Sequence, residues 1–331
     1  MQIALDAFGS DQAPLPEVEG AVLAIKEGLC EKILLVGKKD VLQKLLDKYI
    51  YDESRIEIVD ASDVVTMHDS PAAVLKKKKD SSLVRAVQLY KEGRCDAVVS
   101  AGNTGAMMSV SLFTYGRIKN ILRPAIAITF PTIKDPEIVL DVGANVDCSA
   151  ENLVQFAMLG SLYSHFSLGI EKPEVALLNI GEESAKGNEL VKNAYKKLDE
   201  LKDINFIGNI EGKDILKGVA DVIVCDGFVG NVMLKTVEGA AFAIFEIMKQ
   251  QMKKDWIAKI GALLSFPVYK YLKKKLDHTE YGGALLVGLN GVSVISHGRA
   301  NAKAIKNAVR FAAKISESGF VQHATEYFER L

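Results

Sequence analysis

The sequence predicts an α/β protein in which a parallel sheet is covered by helices. Seven short apolar runs each end in a polar loop that contains glycine, and helical patterns lie between these runs. Uninterrupted apolar runs are typical of strands that are buried on both faces of a sheet. No Pro-rich or Ser-rich linker divides the 331 residues, which are enough for one large domain or two intertwined subdomains. We therefore expect a single α/β/α domain over residues 1–331.

The predicted elements alternate from the first residue onward. The apolar runs with their loops are residues 3–11, 33–37, 98–105, 139–147, 175–183, 222–231 and 292–301. The helical patterns are residues 16–27, 40–49, 81–93, 105–115, 152–166 and 188–201. Open α/β sheets bind ligands outside the carboxyl ends of their strands. We therefore expect the loops to gather there and to form a site for an anion or a polar small molecule.

One stretch departs from this alternation. A long helical pattern at 237–254 is followed by an apolar and aromatic segment at 256–272, and lysines flank this segment on both sides. We expect residues 237–276 to form a protruding helical hairpin. Apolar residues between basic ends are typical of a hairpin that lies on a membrane surface. The same pattern also fits a hairpin that packs in the core or against a second subunit, and both alternatives stay open.

The composition excludes some classes of function. The chain has 41 basic and 42 acidic residues, so its net charge of −1 argues against general binding to nucleic acid. Four widely spaced cysteines show neither metal-ligand spacing nor a disulfide framework. No apolar stretch approaches the roughly 20 residues of a spanning helix, and the chain starts with a strand-like segment rather than a signal peptide. We expect a cytoplasmic protein with reduced thiols.

The loop at residues 100–106 is a candidate phosphate site. It connects a predicted strand to a predicted helix and offers Ser100, Gly102, Asn103 and Thr104. A helix N-terminus has amide hydrogens without helical partners and a positive dipole end, which favours phosphate. Neither the Walker A pattern nor the dinucleotide fingerprint is present. An ordinary strand-to-helix turn remains the alternative.

Two further loops carry carboxylates and amides. The turn from Asp141 to Asp147 includes Asn145, and such a cluster fits either a divalent metal or a turn that contacts substrate; we favour the second and expect no metal and no cofactor. The segment from Asp226 to Asn231 again places an acid and an amide on what we predict to be a glycine-rich turn.

The remaining candidates are cationic or titratable. Lys186 lies among small residues in the loop that starts at Asn179, and Arg123 precedes an apolar run, so either side chain is suited to an anion. His297 is a candidate acid or base, although a single loop histidine is more often structural. No arrangement of residues points to a covalent nucleophile. The basic run at residues 76–79 is either solvated surface or a docking site for an acidic protein.

Nearly the whole chain resembles the phosphate acyltransferase family of bacterial phospholipid synthesis, called PlsX. The matching blocks are residues 5–11, 100–106, 123–125, 140–148, 177–183, 224–231, 234–236, 238–239, 281–284 and 297–298. The resemblance implies a mixed, mostly parallel sheet between helical layers, as in phosphate acetyltransferases and isocitrate/isopropylmalate-type dehydrogenases. It also implies an enzyme that makes acyl phosphate from inorganic phosphate and acyl-[acyl carrier protein].

Partners and residue roles follow from the same resemblance. It implies a homodimer with peripheral membrane contact, which passes acyl phosphate to a membrane-bound glycerol-phosphate acyltransferase. We expect phosphate near the loop of Ser100, and Lys186 or Arg123 to stabilise negative charge. The expected cleft-lining residues are Asn145, Asn179, Asp226 and Asn231. We expect Lys186, Asn231 and His297 to be catalytic, with His297 as the proton donor to the leaving thiolate. The lysines at 76–79 and 273–275 are candidate docking patches for acyl carrier protein.

Two other functions remain open at this point. The predicted fold would also fit a dehydrogenase of the isopropylmalate type that uses NAD and a metal, but the loops contain few arginines to bind its acidic substrate. A non-catalytic scaffold on a membrane surface is the third alternative. The density of polar loops rich in glycine and asparagine argues against a scaffold, which has no need of them.

Overall fold

The computed structural model describes residues 1–254, 256–276, 280 and 282–331, and these residues form an 11-stranded sheet. The strands are β1 Gln2–Asp6, β2 Lys32–Gly37, β3 Ile56–Asp60, β4 Ala97–Ser100, β5 Ala125–Phe130, β6 Glu137–Leu140, β7 Glu174–Asn179, β8 Asn205–Glu211, β9 Val222–Val224, β10 Ala284–Val287 and β11 Ser293–Ile295. The helices are α1 Leu15–Lys26, α2 Lys39–Leu46, α3 Pro71–Lys77, α4 Ser82–Lys91, α5 Thr104–Tyr115, α6 Ala150–Tyr163, α7 Glu189–Asp199, α8 Gly227–Met252, α9 Trp256–Leu276, α10 Ala302–Glu317 and α11 Phe320–Arg330. The sequence patterns missed β3, β8, β10, α3, α10 and α11, and they gave β5 only as an apolar run.

The helices cover both faces of the sheet. Helices α1, α2, α6, α7, α10 and α11 pack on one face, and α3, α4, α5 and part of α8 pack on the other. Along β2, Leu35 belongs to the first core and Leu34 and Val36 to the second. Apolar residues therefore fill consecutive positions because the strand is buried on both sides. The predicted three-layer α/β/α fold is confirmed.

The sheet is mixed, and its strand directions divide the loops into two groups. The strand order is β3-β2-β1-β4-β11-β10-β5-β6-β9-β7-β8. β10 is antiparallel to both of its neighbours, β11 and β5, and β5 is also antiparallel to β6. As a result, β6, β7, β8 and β9 run opposite to β1–β4 and β11. The expectation that all the loops gather at one edge is wrong, since the carboxyl ends of the two sets of strands lie at opposite edges.

Helix α8 begins ten residues earlier than the helical pattern suggested. Asp226 caps it, because its Oδ1 accepts a hydrogen bond from the amide of Val229 at 2.9 Å. The prediction of a glycine-rich turn up to Asn231 is therefore wrong. Glycine disfavours a helix interior, but at Gly230 the helix approaches the backbone of Asp141 so closely that a side chain does not fit.

Helices α8 and α9 form a hairpin, with the rings of Phe245 and Tyr269 in edge contact at 5.4 Å between centroids. Large apolar side chains are exposed along it, and Trp256, Leu263 and Leu264 are each at least 70% exposed. By length and composition alone, α8 would be able to cross a membrane, so the expectation that no apolar stretch is long enough is wrong. Core helices of soluble proteins pass the same test.

Candidate active site

A cavity of about 360 Å³ lies between α8 and the central strands of the sheet. Its apolar walls come from β5, α8 and neighbouring segments: Ile126, Ile128, Phe130, Val142, Leu234, Val237, Ala241, Ala284 and Ile295. Seven polar residues also line it: Thr104, Thr129, Asn231, Lys235, Glu238, Ser296 and His297. This combination of apolar walls with a few polar groups is typical of a small-molecule site.

The cavity runs along β5 and joins the two groups of loops. Near the start of β5, the amide of Val142 donates to the carbonyl oxygen of Ile126 at 3.1 Å, and Gly143 lies beside Asn231. Further along β5, Ile128 pairs with Ala284 of β10, which leads through β11 to the loop that carries His297. Ile126 and Phe130 are roughly 13 Å apart at the rise of a strand. Asn231 and His297 therefore line different ends.

The loop between β4 and α5 is held in place by its own side chains. Ser100 is buried, and its hydroxyl donates to Oδ2 of Asp6 at 2.7 Å and accepts from the amide of Gly102 at 3.1 Å. Asn103 caps α5 through the amide of Ala106 at 3.0 Å. Its Nδ2 also donates to backbone carbonyls of residues 66, 67 and 69.

Of the four predicted phosphate residues, only Thr104 lines the cavity. It is exposed and is the first residue of α5. The first amides of a helix have no acceptor within the helix, and the helix dipole adds positive potential there. This end of the cavity is therefore the one best suited to an anion.

Buried acids lie beneath this loop. Glu17 is fully buried, and burial raises its pKa from 4.5 to about 7, although Oε1 accepts a hydrogen bond from the amide of Ser10 at 2.9 Å. Burial also raises the pKa of Asp6, and hydrogen bonds from Ser82 and Ser100 offset part of this increase. The two acids accept hydrogen bonds from Ser100 and Ser10, and neither acid lines the cavity.

The turn after β6 is organised by one carboxylate. The buried side chain of Asp141 accepts five N–H hydrogen bonds, from the amides of Ile126, Gly143, Ala144 and Asn145 and from Nδ2 of Asn145. Nδ2 of Asn145 also donates to the carbonyl oxygen of Pro124 at 2.8 Å. These donors occupy the oxygens that a metal would need. Asp141 and Asn145 therefore hold the turn whose residues Val142 and Gly143 line the cavity.

A second acidic cluster lies away from the cavity. Carboxylate oxygens of Glu182, Glu211 and Asp214 come within 4.8 Å of one another. Lys213 pairs with Glu211, and Lys217 pairs with Asp214 at 2.7 Å. The lysines balance much of the negative charge, so the cluster is better described as a surface ion-pair network.

A hydrogen bond to His297 determines which ring nitrogen carries the proton when the imidazole is neutral. Its Nδ1 accepts the amide hydrogen of Arg299 at 3.0 Å. The neutral ring therefore carries its proton on Nε2. His297 lines the cavity, so this end contains an imidazole ring.

The other predicted residues lie outside the cavity lining. Lys186 and Arg123 are exposed at the opposite edge, where Arg123 donates to the carbonyl oxygen of Asp147 at 3.2 Å. Asn179 donates to the carbonyl oxygen of Lys186 at 3.1 Å and so closes its own loop. The side chain of Asp226 caps α8. Hydrogen bonds within the loops account for both of these polar side chains.

Sequence reasoning missed four polar residues of the cavity: Thr129, Ser296, Lys235 and Glu238. Lys235 and Glu238 form an ion pair at 2.8 Å on one face of α8. Their spacing from Asn231, at four and seven residues, is that of one helix face. This signal was readable only if α8 had been predicted to begin at Gly227.

The cysteines show no activated thiol. Cys30, Cys95 and Cys225 are buried, and Cys148 is half-buried. Burial raises the pKa of Cys148 to about 11, which leaves very little thiolate at neutral pH. Burial raises the pKa of the other three thiols as well, so none of the four is activated as a nucleophile.

Sequence comparisons identify relatives along nearly the whole chain. The model of a family described as fatty acid synthesis protein matches residues 1–323. The phosphate acyltransferase of Dictyoglomus thermophilum is 53% identical over 317 residues, covering 95% of this chain and 94% of the relative. The phosphate acyltransferase of Heliobacterium modesticaldum is 52% identical over 328 residues, covering 99% and 97%.

Solved structures with the same fold are more distant. A phosphotransacetylase from Streptococcus pyogenes aligns with a TM-score of 0.63 at 16% identity, covering 96% of this chain and 94% of the other. A 4-hydroxythreonine-4-phosphate dehydrogenase from Klebsiella pneumoniae aligns with a TM-score of 0.55 at 14% identity, covering 96% and 98%. At these identities the likeness establishes the fold and leaves the reaction to other evidence.

Proposed function

This chain belongs to the phosphate acyltransferase family, and we propose that it transfers an acyl group from acyl-[acyl carrier protein] to inorganic phosphate. The observation that carries the proposal is the cavity along β5. It combines apolar walls with an end, at Thr104 and His297, that is suited to binding an anion. A dehydrogenase of this fold would need a metal site, and the carboxylate of Asp141 is already occupied by N–H donors.

The proposed reaction places phosphate at the N-terminus of α5, beside Thr104. An oxygen of HPO₄²⁻ attacks the thioester carbonyl carbon, the C–S bond breaks, and acyl phosphate and a thiolate form. Nε2 of His297 donates its proton to the thiolate. The imidazole then takes up the proton that the phosphate loses. Positioning two reactants and stabilising the developing oxyanion supply most of the rate enhancement.

Other candidates take supporting roles in this proposal. Ser100, Gly102 and Asn103 hold the phosphate loop, and Asn145 and Asp226 hold the opposite wall. Asn231 lies at the other end of the cavity from His297, so we assign it to substrate binding. Lys186 and Arg123, which we expected to stabilise charge, are exposed at the opposite edge of the sheet, so this proposal assigns them no contact with the phosphate.

The proposed partners follow from the surface. Lys76, Lys77 and Lys79 are exposed on and after α3, and α3 packs against α5, at whose start Thr104 lies. This position favours docking of the acidic acyl carrier protein beside the cavity. Of the second basic run only the Lys275 side chain is described; its Nζ donates to the carbonyl oxygen of Ile133 at 2.9 Å.

The hairpin of α8 and α9 is the proposed contact with a second subunit, with a membrane surface or with both. Its exposed apolar side chains support either partner. On this proposal the enzyme is a cytoplasmic homodimer that associates peripherally with the membrane. There it passes acyl phosphate to a membrane-bound glycerol-phosphate acyltransferase.

The test is acyl phosphate formation by the purified protein from palmitoyl-[acyl carrier protein] and inorganic phosphate. Hydroxylamine traps the product as a hydroxamate, and a reaction without phosphate is the control. We expect phosphate-dependent product. A folded protein that yields none under these conditions would overturn the proposal, and NAD-dependent turnover would then be measured.

A further inference from the structure

The cavity beneath α8 is longer and more apolar than a phosphate or an acetyl group needs. β5 contributes three alternating side chains to one wall, and α8 contributes Leu234, Val237 and Ala241 to the facing wall. Asn231 and Ala241 are ten residues apart, which is about 15 Å along a helix. An apolar slot of this length has room for a chain of methylene groups.

We infer that this slot binds the acyl chain in an extended form, parallel to β5, with its reactive carbonyl at His297 and its methyl end toward Val142 and Asn231. The inference rests on the proposed function and adds to it the position and direction of the chain. A saturated chain has no polar groups to satisfy, which matches walls formed mainly by aliphatic and aromatic carbon. The charged side chains of Lys235 and Glu238 on the α8 wall are paired with each other.

The direction follows from where the polar groups lie. The end near Thr104, Ser296 and His297 has a helix N-terminus, a hydroxyl and an imidazole, which suit a phosphate and a thioester. At the other end, the polar side chains beside Ile126 and Leu234 are Asn231 and Lys235, and Glu238 balances the charge of Lys235 in an ion pair at 2.8 Å. A charged head group is therefore better bound at the His297 end.

Leu234 is then the residue that limits chain length. It lies one turn beyond Asn231 on α8, so its side chain faces the distal half of the slot. A larger ring at this position fills the space needed by the end of a long chain and leaves the His297 end open. Val232 is a matched control, because it lies on the same helix, is 51% exposed and does not line the cavity.

The first experiment measures binding, which requires no turnover. Dodecyl phosphate and butyl phosphate are titrated calorimetrically into wild type, Leu234→Trp and Val232→Trp. Each methylene group buried in the slot strengthens binding by about fourfold, so we expect wild type to prefer the dodecyl probe by at least tenfold. Leu234→Trp should lose that preference, and Val232→Trp should keep it.

The second experiment measures specificity. The ratio of kcat/KM for the palmitoyl donor to kcat/KM for the butyryl donor should fall at least tenfold in Leu234→Trp. The same ratio should stay unchanged in Val232→Trp. Equal loss with both donors, in a variant of unchanged Tm, would reverse the proposed direction and overturn the inference. Indifference of wild type to alkyl length in the binding experiment would also overturn it. Length-dependent binding without any acyl phosphate formation would instead refute the proposed function and leave the slot in place.

Discussion

Gly230 of α8 lies against the backbone of Asp141, so that a β-carbon on Gly230 would come within 1.9 Å of the Asp141 carbonyl oxygen. This close approach joins the start of α8 to the turn after β6. Both segments contribute to the cavity, through Asn231 and through Val142 and Gly143. The contact therefore fixes the position of one cavity wall relative to the sheet.

Gly230→Ala should destabilise the protein by about 3 kcal/mol, because backbone atoms cannot move aside as a flexible side chain does. Gly239→Ala is the control on the same helix, where an added β-carbon meets nothing within 4 Å. That variant should gain about 0.5–1 kcal/mol from the higher helix propensity of alanine. Urea unfolding of the two variants measures the difference, and similar stabilities would contradict the proposed contact.

His297 and Lys186 should differ in their effects on turnover. His297→Gln should lower kcat by about 10²-fold, the usual contribution of a general acid, whereas Lys186→Ala should have little effect because Lys186 does not line the cavity. Hydroxamate assays at saturating phosphate and acyl donor give kcat for both. A severe loss in Lys186→Ala alone would move the reaction centre to the opposite edge of the sheet.

Lys76→Glu combined with Lys79→Glu should raise the apparent KM for acyl-[acyl carrier protein] by about 3–10-fold at low salt, with kcat retained. Lys78 is left unchanged because its Nζ pairs with Asp69 at 2.8 Å. The control exchanges Lys44 and Lys48, exposed on or just after α2 in the other helical layer. The effect should shrink in 0.5 M salt through screening; a KM independent of these charges would exclude this docking site.

Leu263→Glu combined with Leu264→Glu tests the hairpin. If it lies on lipid, co-sedimentation with phosphatidylglycerol vesicles should fall about tenfold or more, since burial of two large apolar side chains is lost. Light scattering should then report an unchanged subunit number. Ile50→Glu, at a site 90% exposed outside the hairpin, is the control. Loss of the dimer with intact vesicle binding would assign the hairpin to a subunit contact.

Glu17→Gln should flatten part of the pH dependence of stability. In the unfolded chain this carboxyl loses its proton near pH 4.5, whereas in the folded protein it keeps it to about pH 7. The free energy of unfolding therefore falls as the pH rises between these values, by about 3 kcal/mol. Glutamine removes that loss, and it retains an oxygen to accept the amide of Ser10.

Urea unfolding at pH 5 and pH 8 measures this effect in wild type, Glu17→Gln and the exposed control Glu92→Gln. The pH-dependent decrease should be smaller only in Glu17→Gln. Part of the decrease in the free energy of unfolding should remain in Glu17→Gln, because burial also raises the pKa of Glu137 to about 8. An unchanged decrease in Glu17→Gln would show that Glu17 is already ionised in the folded protein.

The sequence predicted most strands and helices because an apolar run buried on both faces carries a clear pattern. It did not predict strand direction, since a run such as Ala125–Phe130 is identical whether it pairs parallel or antiparallel. Because strand direction was not predicted, we wrongly expected all the loops to lie at one edge of the sheet. Glycines concealed the start of α8, because low helix propensity outweighed the cap at Asp226.

The candidate site was predictable only in part for a similar reason. Asn103 and Asn145 look like ligands in sequence, but their amides bind neighbouring backbone groups. Whether a polar loop residue faces a ligand or its own loop depends on hydrogen bonds between distant segments, which spacing does not encode. Thr104, Asn231 and His297 line the cavity because each lies at the start of a helix or just beyond a strand.

Helix α8 has 26 residues and is about 39 Å long. Its first half forms a wall of the cavity, and its second half extends into the apolar hairpin. A rigid rod of this kind acts as a lever whose pivot is the contact between Gly230 and Asp141. Because one continuous helix forms both the cavity wall and half of the hairpin, we expect a contact that shifts the hairpin to move that wall as well.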